Sequence, residues 1–112
     1  MKSKKNITDG PCIAITTVPE EHAVFLAKKL VETRVAACVN IYKNVKSIYI
    51  WEGELKEDTE NILIAKSFLS LKEKLKSLVL ENHPYDTPEI IFLKIEDIEA
   101  KYLYWMKEVL MA

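Results

Sequence analysis

Apolar and polar positions change period several times along the chain, and each change predicts an element. Cys12 to Val18 is rich in Ile, Val and Thr and predicts a first strand. Ala23, Leu26, Ala27, Leu30 and Val31 then recur at i, i+3, i+4, i+7 and i+8, one apolar stripe of a helix over about residues 19–33. Pro19 is placed to open that helix, where its missing N–H costs nothing, and Glu20 and Glu21 suit the positive end of the helix dipole. Val35 to Tyr42 predicts a second strand, interrupted at Lys43-Asn44 by a kink or bulge. The strand resumes over Val45 to Trp51, with Tyr49 and Trp51 on one face and Ile48 and Ile50 on the other. Glu52-Gly53 predicts a tight turn into a third strand, Glu54 to Ser67, although its polar stretch Glu57 to Glu60 leaves the hairpin tip open. Ser70 and Glu73 form a capping-box pattern before a second helix of about residues 71–82, striped by Leu71, Leu75, Leu78 and Val79 and ended by His83-Pro84. Glu89 to Ile95 predicts a fourth strand. Asp97 is placed to cap a last helix running to about Leu110, with Tyr102, Trp105, Met106 and Val109 in register.

The order β-α-β-β-α-β plus a C-terminal helix predicts an α+β fold, the ferredoxin-like split βαβ: an antiparallel sheet with both main helices on one face. A sheet covered on one side should alternate apolar and polar residues. Ile90 to Leu93, Ile48 to Trp51 and Ile62 to Ile64 are instead apolar on both faces. The C-terminal helix can cover part of the second face, and self-association is the simplest cover for the rest. The core of so short a chain is also marginal alone. A homo-oligomer is therefore expected.

Composition narrows the picture. With 112 residues there is room for one core, and 49% hydrophobic residues argue against disorder. Residues 1–10 are expected to be a flexible lead and residues 11–112 a single domain. A net charge of −1 gives no electrostatic reason to expect nucleic acid or an anionic membrane as partner, and no apolar run approaches the roughly 20 residues of a membrane span. Cys12 and Cys38, without a paired spacing, fit buried apolar positions and a reducing cytoplasm.

Candidate chemistry is sparse. Two glycines cannot build a phosphate loop, and two histidines leave little for a catalytic triad, so no enzyme activity is expected. His22, in the first turn of the first helix, is expected to face solvent. His83 lies in His83-Pro84-Tyr85-Asp86-Thr87-Pro88-Glu89, where two prolines stiffen a loop carrying an imidazole, a phenol and carboxylates. That loop is either a rigid helix-to-strand connector or a small polar site for a metal or anionic ligand. Glu60, with Glu57 and Asp58, stands on the hairpin; an acidic strand residue either faces water or joins His83 on a borderline divalent metal.

These stretches also carry a resemblance. Thr16-Thr17-Val18-Pro19, the run Leu30 to Asn40 with Ala36-Ala37-Cys38-Val39-Asn40, Val45 to Gly53, Glu60, Lys66, the run His83 to Ile91, and Tyr102 to Trp105 together resemble the CutA divalent-cation-tolerance family over about residues 12–110. The resemblance implies a compact homotrimer, similar to that of the PII signalling proteins, with clefts between subunits. It implies a role in divalent-cation tolerance, copper among the cations. Carried over by position, Glu60 and His83 correspond to metal-binding positions, with Cu2+ or Zn2+ as a cofactor not required for folding. The family's cysteine position holds Thr16, which removes the soft ligand best suited to Cu(I). Thr17, Trp51, Lys66 and Tyr85 are implied as lining the cleft, where a small molecule or protein partner is the alternative occupant.

Overall fold

The structure is a computed structural model that describes residues 9–111. Its elements are β1 (Pro11–Val18), α1 (Glu20–Glu32), β2 (Cys38–Trp51), β3 (Glu54–Phe68), α2 (Lys72–Asn82), β4 (Ile90–Lys94) and α3 (Ala100–Met111). The sheet order is β2-β3-β1-β4 with every neighbour antiparallel, which is the split βαβ layout expected from the sequence. The expected lead lies outside the described residues except for Asp9 and Gly10. The Gly10 carbonyl accepts from the Leu69 N–H at 2.9 Å, so these two pack against the domain.

Alternation along β1 builds the core. Cys12, Ala14, Thr16 and Val18 are buried on the helix side, while Ile13, Ile15 and Thr17 face the other way, half-buried. Leu63 and Ala65 of β3 join Leu26 and Leu30 of α1 and Leu75 and Val79 of α2 in one cluster. The second face is closed at one end only. There α3 packs Met106 on Ala37 and Phe68, flanked by Ile98, Leu103 and Leu110. Ile91 and Leu93 remain about half exposed on the same side.

Several local expectations shift. Pro19 is the residue before α1 rather than its first member: its ψ of 149° is extended, and its carbonyl accepts the His22 N–H at 3.0 Å. Ser70 does not cap α2. A short 3-10 turn, Leu69–Leu71, intervenes, and the Ser70 N–H is instead satisfied by Asp9 Oδ1 at 2.9 Å. The carboxylate that caps α3 is Glu99, whose Oε1 accepts from the Lys101 and Tyr102 N–H groups; Asp97 Oδ1 bonds only the Ile98 N–H. His22 is half-buried rather than solvated, and its Nδ1 is enclosed without a hydrogen-bond partner. No helix of the described residues is long and apolar enough to cross a membrane.

Cys12 and Cys38 are free thiols. Cys12 is fully buried, and burial pushes its thiol up from the ordinary 9.0 to about 11, against a smaller lowering by Lys72. Between these values the unfolded chain ionises first, so the contribution of this group to stability is lost as pH rises from 9 towards 11. Iodoacetamide at pH 8 should therefore leave Cys12 unmodified in the native protein and label it in denaturant, as read by peptide mass spectrometry. Labelling at equal rates in both states would contradict this burial.

Candidate functional site

The site forms because the strands differ in length. β1 ends at Val18, opposite Asn61, whereas β2 and β3 run on together to the turn at Glu52-Gly53. That turn has positive φ at both residues, 51° and 82°, the geometry that matches strand twist in a two-residue hairpin loop. It fixes the pairing Trp51↔Glu54, Tyr49↔Lys56, Ser47↔Asp58 and Val45↔Glu60. The molecule measures 51 × 25 × 25 Å, and its long dimension reflects this projecting arm.

The expected interruption at Lys43-Asn44 proves decisive. β2 advances three residues, from Tyr42 to Val45, while β3 advances two, from Ile62 to Glu60. One extra residue reverses which face every later side chain takes. Asn44 accommodates it at φ 58°, its N–H directed at Asn61 Oδ1 at 3.4 Å. As a result Ser47, Tyr49 and Trp51 share the face of Asp58 and Glu60, while Ile48, Ile50 and Leu55 share the opposite one.

Across the end of β1 lies the 83–89 loop. It is tied down by Thr16 Oγ1, which donates to the Glu89 carbonyl at 2.6 Å, and by His83 Nε2, which bonds the Thr17 carbonyl at 2.8 Å. Between this loop and the arm opens a cleft of about 630 Å³, lined by residues that include Thr17, Ser47, Tyr49, Trp51, Thr87 and Glu89. Glu60, 6% exposed, is held there by Tyr85 Oη, which donates to Oε2 at 2.7 Å. Tyr49 Oη donates to Asp58 Oδ2, a diagonal cross-strand pair. Desolvation, then the Glu60 hydrogen bond and nearby carboxylates, raise the Tyr85 phenol above its ordinary value; the Asp58 hydrogen bond raises Tyr49. Both phenols therefore remain donors through neutral pH.

Asp58, Glu60, Asp86 and Glu89 all line the cleft, and none of the lining residues is Lys or Arg. The cleft thus presents carboxylate and hydroxyl oxygens and suits a cation. It is not a preformed metal centre: among the described residues no three His, Cys, Asp or Glu side chains converge to hold an ion. Nor is Thr16 a ligand in waiting. It is buried on the helix side, with its hydroxyl committed to Glu89.

Of the residues singled out from the sequence, Thr17, Trp51, Glu60 and Tyr85 line this cleft, and His83 borders it through its bonds to Thr17 and Tyr85. Lys66 does not. It shares the face of Glu60 but stands six strand residues away, about 20 Å, opposite Ile13 and Cys38. Ser47, Tyr49, Asp58, Thr87 and Ile48, which borders the cleft although its strand position belongs to the other face, were not anticipated as lining residues. The signal that places the first three is the turn at Glu52-Gly53, because the pairing counted back from it puts them beside Glu60.

Comparison with known proteins completes the description. The sequence model of a family described as CutA1 divalent ion tolerance protein matches residues 12–109. A divalent-cation tolerance protein, CutA, of Thermus thermophilus is 46% identical over 97 residues, 86% of this chain and 94% of its own. A structure described as the PII-like protein CutA from Nostoc, in apo form, superposes with a TM-score of 0.83 at 36% identity, covering 88% of this chain and 96% of that one. One from Archaeoglobus fulgidus, described as a periplasmic divalent cation tolerance protein, gives 0.86 at 34% identity, covering 89% and 98%.

Proposed function

The chain belongs to the CutA1 divalent ion tolerance protein family, and from that premise we propose that it is a self-associating binder of divalent cations that acts without catalysing a reaction. The observation that carries this reading is the cleft with four carboxylates and no basic side chain in its lining. Because the described residues of one chain supply no resident metal centre, the cation is treated as cargo, drawn in by charge and completed by oxygen donors or by a neighbouring copy. Oxygen donors suit hard and borderline divalent ions, so Zn2+ and Cu2+ are the first to test, and Cu(I) finds no thiolate in the cleft. We infer a trimer as the working assembly, supported by the apolar arm and the open end of the second sheet face. The two free cysteines support a reducing cytoplasm as its compartment.

Titration calorimetry with Zn2+ and Cu2+ tests the cation reading. Glu60→Gln keeps an acceptor for Tyr85 but removes the charge. It should weaken binding roughly tenfold, the equivalent of about 1.4 kcal/mol. Equal affinity in the variant would remove the cleft from the account.

A second reading has its own support. A cleft of about 630 Å³ rimmed by Tyr49, Trp51 and Tyr85 also has the size and aromatic character of a small-molecule site. Under that reading the protein is a PII-like sensor. A metabolite retained from cell extract by the wild-type protein, and lost on Tyr85→Ala, would favour it over cation binding.

A further inference from the structure

We propose that His83 is a positioning residue of the cleft and not one of its cation ligands: it holds the turn that delivers Tyr85 to Glu60. The inference rests on the cleft being the working site. The Tyr85 N–H points at His83 Nδ1 at 3.2 Å, and His83 Nε2 lies 2.8 Å from the Thr17 carbonyl oxygen. A peptide N–H can only donate and a peptide carbonyl can only accept. Nδ1 is therefore the acceptor and Nε2 carries the proton, which fixes the neutral ring in one tautomer. Neither nitrogen has a lone pair to spare. A cation at Nδ1 must displace the Tyr85 amide, and one at Nε2 must displace a proton and leave the Thr17 carbonyl without its donor.

The same ring does structural service. Its centroid lies 4.8 Å from that of Tyr85, tilted by 52°. Pro84 and Pro88 limit the conformations of the intervening loop. A continuous chain of hydrogen bonds then runs from the end of β1 through His83 and Tyr85 to the buried Glu60 of β3. Loss of the imidazole frees the turn and lets the phenol leave the carboxylate.

Two labels test this. In protein carrying [15N]histidine, long-range proton–nitrogen correlations should show His83 with Nε2 protonated, unchanged when Zn2+ is added to saturation. A zinc-induced shift of either His83 nitrogen would make it a ligand and overturn the proposal. In protein carrying [13Cζ]tyrosine, alkaline titration should show Tyr85 ionising above the ordinary tyrosine range. His83→Ala should return it towards that range, and His83→Asn, whose amide can accept near the place of Nδ1, should retain the wild-type behaviour. An unchanged Tyr85 titration in His83→Ala would also overturn the proposal. Should zinc fail to bind at all, the cation function falls, while the tyrosine titration, which needs no metal, still decides the role of His83.

Discussion

Replacing Leu63 with alanine should lower the unfolding free energy by about 3 kcal/mol, the usual scale for a leucine deleted from a packed core. Leu63 sits on β3, between Thr16 of β1 and Ile41 of β2 in register, with no exposed surface. It belongs to the cluster that joins the sheet to both α1 and α2, so the missing atoms leave a cavity that rigid neighbours on two layers cannot close. Small domains are held by only about 5–15 kcal/mol in total, so this one change removes a large share. Urea unfolding at one fixed protein concentration measures it, because the self-association proposed for this chain would add a concentration-dependent contribution. A loss below about 1 kcal/mol would mean that the core is not built around this position. Leu55→Ala is the informative contrast. That leucine is 74% exposed on the arm, so its truncation should scarcely change the stability of the fold itself.

This difference between two leucines of one strand shows what the sequence could and could not convey. Alternation gave the faces of β1 and the inner half of β3 directly, because one side of each is sealed by helices and the pattern is periodic. The stripe Ala23, Leu26, Ala27, Leu30 and Val31 gave α1 for the same reason; its first four members are buried and Val31 is half-buried. The caps were less legible. Ser70 caps nothing, its own N–H being taken by Asp9 while α2 starts without a side-chain cap, and Asp97 lost its predicted role to Glu99, because a cap is a contest between nearby polar groups settled by about 1 kcal/mol and by where the chain arrives in space. The site was legible as residue types but not as geometry. His83 and Glu60 are far apart in sequence, and no spacing rule links them. Their coupling runs through Tyr85, which only the fold brings onto the carboxylate. The interruption at Lys43-Asn44 was visible, whereas its consequence required the register: a single extra residue turns Tyr49 and Trp51 towards Glu60 and sends Ile48 and Ile50 to the other side.

The side so created leads to the other large effect: Ile50→Lys combined with Leu55→Glu should convert an oligomer into a monomer. Ile50 and Leu55 face each other directly across the arm, and they are 70% and 74% exposed, with Ile48 beside them at 62%. A two-stranded ribbon projecting from a domain is marginal on its own, and an apolar face on it is not stable in water. Another copy of the chain offers matching cover, since Ile91 and Leu93 leave its second sheet face open. The Lys and Glu side chains would stand opposite each other as a favourable cross-strand pair, so the hairpin itself should persist. What disappears is the burial of two large apolar side chains per interface, each contributing about 1.5–3 kcal/mol. The association constant should accordingly fall by roughly a hundredfold to ten-thousandfold. Light scattering on wild type and variant, with circular dichroism to confirm that the fold survives, gives the answer. A variant that keeps the wild-type mass would move the interface away from the arm. A wild type that is itself monomeric would leave this apolar face without the partner inferred for it, and with it the completion of the acidic cleft by a neighbouring copy.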